Sequence, residues 1–263
     1  MYIADTASTP FDAAADGSRT TYCTGNAVKD AAIQVRTKIF EAAAKQLEAS
    51  PEELEIVGKM VQVRGQPSRN IPLAVLAANS QSEGGQFLGG ASYVFPMPSY
   101  DNDSVSGDVN LPSFIAPIFA VNAAIVQVDR ETGLVKTVRC VTSQDVGFTI
   151  NPVGVEGQIE GGTVQGIGQA LMEKIVYGKN GETLNPNLLD YKMPTTLDVP
   201  RIESSYVEGH IGDGPYGSKG VGEPPIIPPP AAIANAVYNA TRVRVRKLPL
   251  DPENVLTALT SGS

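Results

Sequence analysis

Val153-Gly-Val-Glu-Gly-Gln-Ile-Glu-Gly-Gly-Thr-Val-Gln-Gly-Ile-Gly-Gln-Ala-Leu-Met-Glu-Lys-Ile-Val176 places Val164, Ile167, Leu171 and Ile175 at helical spacing. The period predicts one long helix over 153–176. Through it run Gly157, Gly161, Gly162, Gly166 and Gly168. Each interior glycine costs a helix roughly 1 kcal/mol relative to alanine. A helix keeps that many glycines when another backbone, or a ligand, approaches closely. A helix packed tightly on a sheet meets this condition, and so does one bordering a bound molecule. Within it, Gly161-Gly-Thr-Val-Gln-Gly-Ile-Gly168 is not a Walker loop, because no Gly-Lys-Ser/Thr follows and the pattern is helical. Gln165 can both donate and accept hydrogen bonds.

On the N-terminal side of this helix, two strands are predicted over 120–129 and 134–143, joined by the turn Arg130-Glu-Thr-Gly133. On the other side come a strand over 202–207, a glycine-rich loop over 209–222, and a helix over 230–240. A strand is predicted over 243–247, and Asp251-Pro-Glu253 supplies an N-cap and a first-turn proline for a last helix. Earlier in the chain, Val28, Ala32, Val35, Ile39, Ala43 and Leu47 predict a helix over 25–47. A hairpin comes next over 54–57 and 60–63, then a short helix over 71–78 and a long loop over 80–113. Helices and hairpins mix without regular βαβ alternation, which is an α+β pattern.

The bulk properties exclude several functions. The net charge of −8 leaves nucleic acid an unfavoured partner. The only short basic run, Arg242 to Lys247, alternates with valines as a solvated strand face would. Two cysteines, Cys23 and Cys140, and one histidine, His210, cannot form the usual structural zinc set or an iron–sulfur cluster. They suggest a reduced, cytoplasmic protein. No apolar run reaches the roughly 20 residues of a membrane span, and the N-terminus does not read as a signal peptide.

Two further motifs can carry chemistry. Asp16-Gly-Ser-Arg-Thr-Thr-Tyr22 precedes a helix. Its hydroxyls, exposed amides and Arg19 could cradle an anion, although a plain capped loop has the same composition. In Gly217-Ser-Lys-Gly-Val-Gly-Glu-Pro-Pro225, glycines allow close approach and prolines stiffen the chain after Glu223. A buried carboxylate there would serve as a general base. Lys219 could instead pair with it, and a rigid turn with an exposed glutamate fits equally. Asp145-Val-Gly147 and Asn151-Pro152 bracket a further loop, with ordinary turn chemistry as their simplest explanation.

These motifs, in this order, resemble the large, molybdopterin-binding subunit of the xanthine dehydrogenase/aldehyde oxidase family. The matching stretches are Gly17-Ser-Arg-Thr-Thr-Tyr22 with Gly25-Asn-Ala-Val28, Asp145-Val-Gly147 with Asn151-Pro152, and Gly157-Gln-Ile-Glu-Gly161. They continue with Val164-Gln-Gly166, Asp190-Tyr-Lys-Met-Pro194, Gly220-Val-Gly-Glu-Pro-Pro225, and the ending Leu248-Pro-Leu250 with Pro252-Glu-Asn-Val-Leu256. The resemblance covers essentially the whole chain, as the C-terminal half of that molybdopterin-binding part.

It implies an α+β fold of two lobes, each a mixed or antiparallel sheet with helices packed on one face. The division would fall near the long loop, giving lobes 1–115 and 116–263, with the chain crossing between them. It implies that Glu223 is the catalytic base, acting on Mo–OH. Gly17, Ser18, Arg19, Thr20, Gln165 and Gly222 are implied cofactor contacts, Gln165 through the pterin or its phosphate. The molybdenum takes no protein side-chain ligand. The implied cofactor is molybdenum–molybdopterin in its cytosine dinucleotide form. The implied reaction is hydroxylation of a purine-like N-heterocycle or an aldehyde with water as oxygen source. The resemblance places the other half of the pterin site in an N-terminal molybdopterin-binding half, and the Fe–S clusters and FAD on partner chains or domains. The chain alone is then expected to be inactive. A non-catalytic assembly scaffold of the same fold and a phosphate-dependent hydrolase or ligase are the competing readings.

Overall fold

The computed structural model describes residues 5–9, 15–83, 85–94, 117–209 and 212–261. They fall into two compact units. One is Cys23–Pro96, and the other joins Met1–Tyr22 with Met97–Ser263. The first segment of the chain thus groups with the C-terminal part, so the chain crosses between the units.

In Cys23–Pro96, α1 (Gly25–Leu47) has the extent its apolar period predicts. Glu48, in left-handed conformation, ends it, and the Arg69 guanidinium donates to the Leu47 carbonyl at 2.5 Å. A cation there complements the helix dipole. Strands β1 (Leu54–Val57), β2 (Met60–Val63) and β3 (Gln66–Pro72) form an antiparallel sheet in that order. Leu54, Val61 and Val63 bury one face against Ala43 of α1 and Leu76 of α2 (Leu73–Glu83). The helix predicted over 71–78 is therefore displaced. Ile71 pairs with Val61 inside β3, and α2 starts at Leu73. Beyond α2, the chain lies along α1, with Gln34 and Lys38 donating to the carbonyls of Gly90 and Leu88. The rest of the expected long loop, 95–113, lies outside the described residues.

In the other unit, β4 (Ala120–Val128) and β5 (Val135–Asp145) make the predicted antiparallel hairpin. Asp129 Oδ1 accepts the Glu131 and Thr132 amides at its turn. β5 then pairs in parallel with β6 (Arg201–Val207), from Arg139 opposite Arg201 to Asp145 opposite Val207. The sheet is mixed, with order β4-β5-β6. The crossover carries α3 (Pro152–Leu171), and α4 (Pro228–Thr241) and α5 (Pro252–Ser261) come after β6. Cys140 and Val135 of β5 pack with Ile167 and Ala170 of α3, Ile233 and Val237 of α4, and Val255 of α5. The opposite sheet face carries exposed Val121, Ile125, Val138 and Val141.

Two expectations are corrected in this unit. α3 stops at Leu171 instead of reaching 176, where the Met172 and Glu173 amides both bond the Gly168 carbonyl and close the helix. Residues 243–247 are not a strand. Arg242 ends α4 in left-handed conformation, and Arg244 folds back over the Tyr238 ring at 4.2 Å while bonding Asn235 Oδ1. His210 lies outside the described residues. No helix among the described residues is long and apolar enough to cross a membrane.

Candidate active site

β5 and β6 end side by side, at Asp145 and Val207. The glycine-rich loop after β6 returns to this edge. Gly147 bridges Ser218, the Phe148 amide donates to the Gly217 carbonyl at 3.0 Å, and the Lys219 amide donates to the Val146 carbonyl at 3.0 Å. The loop is thus stitched to the residues just beyond β5.

Its side chains anchor it from below. Lys219, only 1% exposed, donates to Asp145 Oδ2 at 2.6 Å and to the Pro117 carbonyl at 2.9 Å. Its partner is therefore Asp145, not Glu223. Asp145 also accepts the Gly147 amide on its other oxygen at 3.1 Å. The buried Gln144 amide reaches the Gly220 and Val221 carbonyls, each at 3.4 Å. Val221 packs on the apolar cluster of Val146, Val155 and Ile159.

The segment after the loop is held by α3. Asn151 caps that helix, its Oδ1 accepting the Gly154 amide at 3.1 Å. A Cβ on Gly162 would stand 2.7 Å from Pro225 Cβ, and one on Gly166 would stand 2.9 Å from the Ile226 carbonyl oxygen. These two glycines let the short turn Pro224–Ile226 lie directly on the helix. Gly157 and Gly161 differ, since a Cβ on either would meet nothing within 4 Å. They lie one turn apart on one helix face, which also carries the exposed Gln165 a further turn on.

Between these anchors stands Glu223, exposed. Its backbone amide donates to Ser18 Oγ at 2.8 Å, and that hydroxyl donates to Glu223 Oε2 at 3.2 Å. Ser18 comes from the first motif, and both Gly17 and Ser18 adopt left-handed backbone angles, with φ of 60° and 56°. The structure thus joins Gly17, Ser18, Gly222 and Glu223, drawn from opposite ends of the sequence. Arg19 comes directly after Ser18 and pairs with Asp16. Thr20 opens the π-helical turn Thr20–Thr24 and is exposed. Gln165 lies two turns along α3 from Gln158, so about 10 Å away along the axis. Gln158 itself is close, with Oε1 3.4 Å from where a Gly222 Cβ would be. Sequence reasoning did not select Gln158. Its signal was its place in Gly157-Gln-Ile-Glu-Gly161.

A carboxylate stands exposed on an anchored loop, Gln158 lies close to that loop, and one helix face is open to solvent at Gly157 and Gly161. Among the described residues, no group of three or more His, Cys, Asp or Glu side chains could hold a metal ion.

The family described as Molybdopterin cofactor-binding domain (MoCoBD_2) matches residues 1–200, and the chain belongs to this family, the molybdopterin-binding part of xanthine dehydrogenase/aldehyde oxidase-type proteins. It is 36% identical over 258 residues to the xanthine dehydrogenase molybdenum-binding subunit of Escherichia coli O157:H7, a match covering 95% of this chain and 32% of that subunit. Among solved structures it is similar to reconstituted CO dehydrogenase from Oligotropha carboxidovorans, with a TM-score of 0.80 and 27% identity over 98% of this chain and 31% of that one. It is also similar to quinoline 2-oxidoreductase from Pseudomonas putida 86, with a TM-score of 0.75 and 31% identity over 92% of this chain and 30% of that one. The chain thus spans about a third of the length of the relatives it matches.

Proposed function

We propose that this chain supplies the general base and part of the cofactor cradle of a molybdenum hydroxylase that oxidises an N-heterocycle or an aldehyde with water as oxygen source. The observation that carries the reading is the anchoring of Glu223, whose loop is fixed from below by Lys219 and Gln144 and from the side by Ser18; its carboxylate is exposed rather than buried, so fixed placement and not burial supports the role. The names of two relatives, a xanthine dehydrogenase subunit and a quinoline oxidoreductase, favour an N-heterocycle as substrate.

When bound, molybdenum–molybdopterin supplies two-electron redox chemistry and an activated, water-derived nucleophile. The residues of this chain orient it and manage the proton. Glu223 would hold the base's place beside it and take up a proton at its carboxylate. Gly17, Arg19 and Thr20, with Gly222 and Gln165, would line the cradle, and a Cβ at Gly157 or Gly161 would meet nothing within 4 Å, which leaves that helix face open to a bound group. The cofactor is the cytosine dinucleotide form. An N-terminal molybdopterin-binding half, an Fe–S subunit and an FAD subunit complete the enzyme.

Glu223→Gln in the assembled enzyme tests the reading. Turnover should fall to a small residual rate while molybdenum and pterin nucleotide remain bound. Unchanged turnover would favour a scaffold role for the domain, and nucleotide analysis of the same preparation identifies the dinucleotide.

A further inference from the structure

We infer that Ser18 is the positioning residue for Glu223, acting through its hydroxyl on the carboxylate rather than as a cofactor ligand. The inference rests on the reading of Glu223 as the base.

Three observations carry it. First, one hydroxyl serves Glu223 twice. It accepts the backbone amide at 2.8 Å and donates to Oε2 at 3.2 Å. Main chain and carboxylate of the same residue are tied to a single point, which restricts the side-chain torsions between them. Second, Ser18 holds a left-handed backbone, with φ of 56°, directly after Gly17 at 60°. A non-glycine residue in that region is disfavoured and persists where its surroundings over-determine it. Third, the opposing loop is shaped to receive it. A Cβ on Gly220 would lie 2.5 Å from the Ser18 carbonyl oxygen and 2.8 Å from Ser18 Cβ. Any side chain at 220 would push Ser18 away from Glu223.

The chemistry gives the contact its purpose. An exposed glutamate samples several rotamers, and most of them place its carboxylate away from the proton it must take. A donor on Oε2 selects one orientation before substrate arrives. Misplacement of a reacting group by about 1 Å can cost on the order of 100-fold in rate. The fixed contact joins residues 205 positions apart in the chain, so the order of Glu223 depends on the docking of the N-terminal loop.

The test is a double-mutant cycle in the assembled enzyme with Ser18→Gly, Ser18→Ala, Glu223→Gln and the pairwise combinations. Anaerobic reduction of the enzyme by saturating substrate, KM, molybdenum content and melting temperature are read together. Glycine accepts the left-handed backbone, so Ser18→Gly should keep or raise the melting temperature. Molybdenum content and KM should hold, while the reduction rate falls about 10- to 100-fold. In the Glu223→Gln background, Ser18→Gly should cause no further loss, because the residue it orients is already disabled. A loss of bound molybdenum in both Ser18 variants, or losses that multiply in the combination, would overturn the inference and make Ser18 a cofactor contact. An unchanged rate in both Ser18 variants would also overturn it. Full activity in Glu223→Gln alone would remove the base assignment itself, an outcome separate from all of these.

Discussion

The Lys219 ammonium lies 2.6 Å from Asp145 Oδ2 and is sealed from solvent, joining the loop of Glu223 to the end of β5. A charge held in that position depends on its partner. Losing one member leaves the other buried and uncompensated, at a cost of about 3–5 kcal/mol, whereas replacing both with apolar groups can be neutral. Lys219→Met should therefore destabilise the protein strongly, and Lys219→Met combined with Asp145→Leu should recover most of the loss. Urea denaturation of the three proteins checks this. A Lys219→Met variant of wild-type stability would show that the pair contributes nothing.

The glycines of α3 make a paired prediction. A methyl at Gly162 meets Pro225 Cβ at 2.7 Å, and a proline ring cannot move aside. Overpacking of this kind costs about 1–3 kcal/mol, so Gly162→Ala should lower the melting temperature. Gly157→Ala meets nothing within 4 Å and gains helix propensity of about 1 kcal/mol. It should raise the melting temperature. Equal effects at the two positions would contradict the packing described.

The same helix shows what the sequence could and could not disclose. Its apolar period located α3, and its surplus of glycines announced a close approach, but not which glycines meet the Pro224–Ile226 turn and which face open space. α1 was legible to the residue because a helical period persists over many turns. β3 was not, since Gln66 to Asn70, polar apart from Pro67, are exposed on an edge strand and show no alternation. Residues 243–247 misled for the opposite reason. They alternate like a strand, yet Arg244 stacks on Tyr238, a contact made by tertiary folding. At the site, each motif was visible by itself. The pairing of Lys219 with Asp145, and of Ser18 with Glu223, lies at sequence separations where no local pattern operates.

Cys140 offers a pH test of the sheet–helix core. The thiol is fully buried among Ile167, Ile233 and Val237, and burial pushes its pKa up to about 11. The folded state disfavours the thiolate, so this contribution to stability is complete below the ordinary thiol pKa of 9.0 and is lost as pH rises through about 11. The stability difference between wild type and Cys140→Ala should shrink across that window. Denaturation at pH 7, 9 and 10.5 measures it, and a constant difference would place the thiol in a more polar setting. Iodoacetamide should leave Cys140 unmodified in the folded protein at pH 8.

A chain of hydroxyls crosses the same core and has a direction. Asn122 Nδ2 donates to Thr142 Oγ1 at 2.5 Å, the two threonine hydroxyls of Thr142 and Thr163 lie 3.0 Å apart, and Thr163 Oγ1 donates to the Ile159 carbonyl at 2.7 Å. Since the Thr163 proton is committed to its own helix, the proton between the threonines belongs to Thr142. Thr163→Val preserves the shape of the side chain but removes the acceptor for that proton. An unsatisfied buried hydroxyl costs about 1–3 kcal/mol. Thr163→Val should therefore destabilise by that amount. Adding Thr142→Val should cost less than the two single losses combined, because the orphaned hydroxyl is gone. Chemical denaturation of both single variants and the double variant checks the order, and strictly additive losses would mean that the two hydroxyls do not share a proton.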